Sequence, residues 1–297
     1  IFKKYMSLKN NLPDDIAVLY TQLVHVTVFN EEYKSILIRD MEIILSEIVN
    51  PTNDLSEIYI DEQEEEEVIS LYEKALVGNT DAQLDLADFY KSIQRDEWAF
   101  DWFKVAADAG SVDALYLLGN EYFVGRVVEH DLEKTYFYYR EAAEKGHADA
   151  LNNYADMYLR GEYVEKNEER ALELFKLAAD KGVPEAMYTL GYMYENGVGT
   201  KVDKEESKRW FTESALFGDV FAANRLGHEA VENGQGDEGI SWYQMAADQG
   251  DSYGEFNLGL CYENGIGTQV NIKKAKYWYK KAALKGDDQA KERLKEL

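Results

Sequence analysis

An all-α solenoid of paired helices is the fold this 297-residue sequence predicts, and three observations predict it. Glycines recur at 78, 110, 146, 182, 218, 250 and 286, a period of 36 residues broken by two intervals of 32. Small, large and aromatic residues follow each glycine at offsets of four, eight and twelve, which places one residue per turn on a single helical stripe. Only three prolines interrupt the chain, while 45% of it is apolar and 13% aromatic, so a folded helical protein is expected despite 30% charged residues.

The elements follow in chain order. Residues 1–50 are expected to form a helical cap. Within them Ile16, Leu19, Tyr20 and Leu23 suggest a helix over 14–29, although the β-branched run VHVTVF (24–29) weakens the pattern. Tyr33, Ile36, Leu37, Met41, Ile44, Leu45 and Ile48 make residues 31–48 an amphipathic helix. Terminal repeats need such a cap with one polar outer face. Residues 51–66 read as an acidic, solvated linker, and residues 67–297 as the solenoid.

Each repeat divides into a helix A and a helix B. Counting from the glycine, helix A carries Ala82, Ala114, Ala150, Ala186, Ala222, Gly254 and Ala290 at position four. Position eight holds Leu86, Leu118, Tyr154, Leu190, Leu226, Leu258 and Leu294, and position twelve Tyr90, Tyr122, Tyr158, Tyr194, Ala230 and Tyr262. Position nine is Ala87, Gly119, Ala155, Gly191, Gly227 or Gly259. A mid-helix glycine costs about 1 kcal/mol against alanine, so a closely approaching neighbour is expected there.

Helix B ends in an alanine pair such as Ala106/Ala107 or Ala246/Ala247. Eight residues before the next glycine it carries Trp102, Tyr138, Leu174, Trp210, Trp242 or Trp278, followed by a further aromatic. These rings read as the core of the helix hairpin. The glycine suits a helix C-terminal cap, and Pro184 falls at a helix start. The short repeats lack four residues between helices A and B, which predicts the loss of about one helical turn, or ~6 Å.

Segments such as AMYTLGYMYENGVGTKVDKEESKRWFTESALFG (186–218) and GEFNLGLCYENGIGTQVNIKKAKYWYKKAALKG (254–286) resemble Sel-one-like repeats, relatives of tetratricopeptide repeats with a longer unit. The resemblance implies an α/α superhelical solenoid used for protein–protein contacts and scaffolding, without catalysis. Disulfide-rich secreted members differ from this chain, whose lone cysteine is Cys261.

Composition narrows the function further. With 57 acidic against 32 basic side chains the formal charge is −25, which disfavours nucleic acid as a partner. No apolar run reaches the roughly 18–20 residues that span a bilayer, and a cytoplasmic location is the expectation. The four histidines lack metal-ligand spacing, and one cysteine supports neither a disulfide framework nor a cysteine metal cluster. No nucleophile–base motif is legible, so neither a catalytic residue nor a cofactor is expected. NGVGTK (196–201) lacks the phosphate-loop spacing and recurs as NGIGTQ (264–269), which marks it as the turn between helices A and B.

Candidate partner-binding residues come from helix geometry. Positions six, ten and thirteen of helix A lie roughly opposite the four–eight–twelve stripe and are expected to line the concave groove. Position six reads Leu84, Tyr116, Asn152, Tyr188, Asn224, Phe256. Position ten reads Asp88, Asn120, Asp156, Tyr192, His228, Leu260, and position thirteen Lys91, Phe123, Leu159, Glu195, Val231, Glu263. Aromatic rings, amides and carboxylates on one surface suit a basic or amphipathic protein segment. For the sixth row, packing against a neighbouring repeat is an equal alternative.

Residues 1–10 carry +3 and residues 271–297 carry +5, which leaves −33 of the total −25 on the 260 residues between. Such a surface draws a basic partner and loses its pull in salt. A non-enzymatic adaptor is therefore the first expectation. The alternative is an acidic immunity-type inhibitor that neutralises a cationic enzyme by charge complementarity.

Overall fold

In a computed structural model, residues 70–71, 74–75 and 77–297 are described, and among them every regular element is a helix. The cap expected over 1–50 and the linker expected over 51–66 lie outside the described residues. The chain divides into two compact units, Ile1–Lys145 and Gly146–Leu297.

In the first unit, α1 (Thr80–Ser92) pairs with α2 (Asp96–Asp108), and α3 (Val112–Val124) with α4 (Leu132–Glu144). Helix α2 also packs on α3, which joins the hairpins. The second unit continues the pattern with α5 (Ala148–Arg160) and α6 (Glu168–Ala179), then α7 (Pro184–Asn196) and α8 (Lys204–Leu216). Next come α9 (Val220–Glu232) and α10 (Gly236–Asp248), α11 (Ser252–Asn264) and α12 (Ile272–Leu284), and a final α13 (Asp288–Glu296). Within it every helix packs on the next, hairpin after hairpin.

The turn from helix B to the next helix A explains the alanine pair and its glycine. After α2, Gly110 takes φ +100°, and its N–H donates to the Ala107 carbonyl while Ser111 N–H donates to Ala106. This is the left-handed ending in which glycine avoids a Cβ penalty. Ser111 then turns around: its Oγ accepts from Ala114 N–H and caps α3. Asn79, His147, Asp219, Asp251 and Asp287 cap their A helices in the same way. Val183 supplies no such bond, and Pro184 follows as the first helical residue, where its missing N–H costs nothing.

The core is built at position nine. A Cβ on Gly119 would stand 2.5–2.6 Å from the Tyr139 ring, and one on Gly191 2.7–2.9 Å from the Phe211 ring. Gly227 stands equally close to Tyr243, and Gly259 to Tyr279. These rings, seven residues before the next anchor glycine, are all buried, as are Phe103 and Phe175. The neighbouring tryptophan row is shallower: Trp102 is buried, whereas Trp210, Trp242 and Trp278 are half-buried.

The short repeats correct one expectation. Helices α1 and α9 keep 13 residues, as do their long-repeat counterparts α3, α7 and α11. The four residues come out of the connection instead, which shrinks from 125–131 or 197–203 in the long repeats to 93–95 and 233–235. A full-length A helix keeps its buried stripe, whereas a connection buries little, so deletion is tolerated there. The longer connections also supply an N-cap for helix B, at Asp131, Asn167, Asp203 and Asn271, which Arg95 and Gln235 do not. The segment 197–203 is the expected turn between helices A and B.

Candidate functional site: the outer face of the A helices

The buried arc of each A helix is wider than the four–eight–twelve stripe. Position five is buried throughout, at Gln83, Leu115, Leu151, Met187, Ala223 and Glu255, and position nine packs on helix B. At 100° per residue this widening turns the solvent-facing side toward positions three, seven, ten and fourteen. Positions six and thirteen fall at its border.

The rings of the sixth row meet helix B of their own hairpin, and Tyr188 also packs on the cluster that includes Ala222 and Ala223 of the next repeat. Tyr116 lies 6.2 Å from the Tyr139 ring, Tyr188 5.2 Å from Phe211, and Phe256 5.6 Å from Tyr279. Leu84 packs against the α1–α2 core. The amides differ. Asn224 Nδ2 donates to Asp251 Oδ2 at 2.7 Å, tying α9 to the cap of α11, and Asn152 Nδ2 reaches Asn153 at 3.3 Å. Asn224 and Phe256 are buried.

Charged members of the thirteenth row stitch consecutive A helices together. Lys91 pairs with the buried Glu121 at 3.0 Å, Glu195 accepts from Arg225 at 2.6 Å, and Glu263 faces Arg293 at 3.7 Å. Glu263 also accepts a hydrogen bond from Tyr279, whose phenol is pushed up by burial first and by that bond second. These carboxylates serve the stack. Phe123 is exposed and meets the His130 ring edge-on.

The tenth row is the most open of the three. Asp88, Tyr192 and His228 are exposed, Asp156 is held by Arg160 at 2.7 Å on the same helix, and His228 sits 3.3 Å from Glu232. Asn120 turns inward to accept from Tyr139 Oη at 2.7 Å, and Leu260 joins the last core cluster.

Position three was not among the rows read from sequence. It presents Asp81, Asp113, Asp149 and Glu185, all exposed, and then switches to Phe221 and Tyr253. The period of the buried ninth position was the available signal, because it rotates the exposed face by about one residue. At positions three, seven, ten and fourteen, α1 and α3 of the first unit carry four carboxylates and no arginine, and α5, α7, α9 and α11 of the second carry four carboxylates and two arginines. Arg160 pairs with Asp156 on this same face and Arg225 with Glu195 beside it, so the face is negative in each unit taken by itself.

Other chemistry has little foothold. No group of three or more His, Cys, Asp or Glu side chains that could hold a metal occurs among the described residues. His147 is a helix cap, and His130 Nδ1 sits 2.7 Å from the Phe123 carbonyl. Cys261 is buried, which pushes its thiol up to about 11. No helix of the described residues is long and apolar enough to cross a membrane.

Comparison with known proteins agrees with this geometry. The chain is 43% identical over 58 residues to the DAP3-binding cell death enhancer 1 of Rattus norvegicus, a match covering 20% of this chain and 11% of that protein. Among solved structures, a protective antigen present in uropathogenic Escherichia coli strains and displaying an SLR fold superposes with a TM-score of 0.65 at 30% identity. That match covers 76% of this chain and 50% of the antigen. A Sel1 repeat protein from Oxalobacter formigenes gives 0.62 at 27% identity over 70% of this chain and 86% of its own. The Sel1 repeat model matches residues 80–111, 112–147, 148–183, 184–218, 220–251 and 252–287, each a helix A, its helix B and the following turn. The chain belongs to the Sel1 repeat family.

Proposed function

We propose that the protein is a non-enzymatic adaptor whose A-helix face holds a basic protein segment. Sel1 repeat proteins are generally protein-interaction scaffolds, and the fold is typically non-catalytic. One observation carries the finer reading: in the second unit the outer A-helix face sets Asp149, Glu185 and Glu232 among exposed Tyr192, His228, Phe221 and Tyr253, while its arginines are paired with Asp156 and Glu195. Carboxylates meet lysine or arginine, and rings offer rigid contact area at little entropic cost.

Replacing Asp88, Asp156 and His228 together by alanine tests the reading. None of the three belongs to the buried core, so the variant folds. Its affinity for a Lys/Arg-rich helical peptide is expected to fall; unchanged affinity would remove the tenth row from the binding surface.

The net charge of −25 favours a second reading, an inhibitor that covers the basic surface of a cationic enzyme. Affinity that collapses between low and moderate salt supports it. Binding that survives salt points to the apolar contacts of an adaptor instead.

A further inference from the structure

Two positions of the repeat flank the turn from helix B to helix A, and both are apolar at the turn from α8 to α9. Two residues before the anchor glycine stand Asp108, Glu144, Asp180 and Asp248, but also Leu76, Leu216 and Leu284. Three residues after it stand Asp81, Asp113, Asp149 and Glu185, but then Phe221 and Tyr253. The turn from α8 to α9 takes both substitutions at once and adds Phe217. Leu216 is 60% exposed, Phe217 55% and Phe221 72%.

Cross-repeat bonds bring further rings toward this turn. Glu195, at position thirteen of α7, binds Arg225 at position seven of α9, and Asn224 at position six binds Asp251 at position one of α11. Consecutive A helices are thus offset by five to six residues. That offset sets Tyr192 level with the first turn of α9, where Phe221 stands, and Tyr253 beside Arg225 and His228. Asp180, Glu185 and Asp248 hold the corresponding edge positions of the flanking repeats, and all are exposed. Of the lysines along this edge, Lys181 leans over Gly146, and Lys285 is held by the Gly250 carbonyl and Glu255.

We infer that Leu216, Phe217 and Phe221, with Tyr192 and Tyr253, form the apolar seat for an amphipathic basic helix of a partner protein. This rests on the adaptor reading and names its partner. At Leu216 and Phe221 the patch abandons carboxylates that most repeats keep at these solvent-facing positions, and Phe217 extends it over the Gly182 turn. The acidic edge around it selects lysine and arginine beside the partner's aliphatic residues. A lipid surface fits poorly, because the same carboxylates repel anionic headgroups.

The test uses the full chain and a synthetic Leu/Lys amphipathic peptide of about 18 residues, long enough for several helical turns. A peptide of identical composition with its leucines scattered is the control. Affinities are read by fluorescence anisotropy at about 0.15 M salt. The ordered peptide is expected to bind at least tenfold tighter than the scattered one. Leu216→Asp/Phe221→Asp is expected to weaken the ordered peptide by at least tenfold, about 1.4 kcal/mol. Both substitutions restore the repeat's usual carboxylate and add negative charge, so simple charge attraction would move affinity the other way.

Phe221→Ser alone, at a position that is 72% exposed, decides the matter should the double variant lose its helical circular dichroism. Equal binding of the two peptides, a change below twofold in the variants, or binding of the chain to anionic vesicles instead of the peptide would each overturn the assignment. The Asp88/Asp156/His228 variant separates it from the broader reading. Loss there with Leu216 and Phe221 indifferent leaves the adaptor face and removes this seat. The reverse keeps the seat and removes the tenth row.

Discussion

Gly191→Ala puts the packing of the fourth hairpin, α7–α8, to the test. The new methyl would stand 2.7, 2.8 and 2.9 Å from Cδ1, Cε1 and Cγ of Phe211, well inside ordinary carbon–carbon contact. The ring has no free direction of retreat. It is 3% exposed, Tyr188 meets it edge-on at 5.2 Å, and the Arg225 guanidinium sits 4.4 Å over its face while bonded to Glu195. Overpacking of this kind costs about 1–3 kcal/mol. Alanine recovers about 1 kcal/mol of helix propensity over glycine. The net expectation runs from no stabilisation to a loss of about 2 kcal/mol.

Because a solenoid's stability is a sum of local terms, the loss should concentrate in α7, α8 and the facing turn of α9. Urea unfolding followed by circular dichroism gives the total, and native-state amide exchange gives its location. Phe211→Leu in the Gly191→Ala background should cost at least ~1 kcal/mol less than in the wild type, since the two share one contact. Stabilisation of Gly191→Ala by about 1 kcal/mol, as propensity alone dictates, would refute the close-packing account.

Three further outcomes are expected. Glu255 is fully buried, and its Oε1 is held by Lys281 at 3.2 Å and Lys285 at 2.7 Å. Lys281→Met/Lys285→Met should therefore cost ~3–5 kcal/mol in a urea melt by stranding the carboxylate, whereas adding Glu255→Met to that pair should restore part of it. Burial raises the Cys261 thiol from 9.0 to about 11, so the folded state keeps a proton the unfolded chain releases. The associated stability, on the order of 3 kcal/mol, is complete below pH 9 and lost as pH rises through about 11. A Cys261→Ala variant should show a shallower alkaline decline, and native Cys261 should resist alkylation at neutral pH. Gln94 adopts φ 60° where the other short repeat has Gly234 at 77°. Gln94→Gly should stabilise by about 0.5 kcal/mol and Gly234→Gln should destabilise by a similar amount, read by thermal melting.

The fold was legible because its signals repeat. An alanine pair, a glycine and a polar cap recur at one spacing, and each now has a hydrogen bond behind it, such as Ser111 to Ala106 on one side and to Ala114 on the other. The helix length in the short repeats was not legible, because sequence spacing counts missing residues without saying whether helix or connection lost them. The candidate surface was only partly so. Rows six and thirteen lie close to the outer face by angle, yet a tyrosine there can turn toward Phe211 or Tyr279, and a carboxylate can reach an arginine 30 residues away. Helical phase does not report such contacts. Row three escaped notice because its first four members read as ordinary first-turn acids that favour a helix N-terminus. Only the exposure of Phe221 and Tyr253 distinguishes the last two.

The central claim is that the A-helix face, and not the outward side of the B helices, receives a basic segment. Hydrogen–deuterium exchange of the full chain with and without the Leu/Lys amphipathic peptide tests it most directly. Slowed exchange is expected across residues 216–222, around Tyr192 in the third turn of α7 and in the first turn of α11, with the connections 197–203 and 265–271 unchanged. Protection confined to α6, α8 and α10, or to those connections, would contradict it.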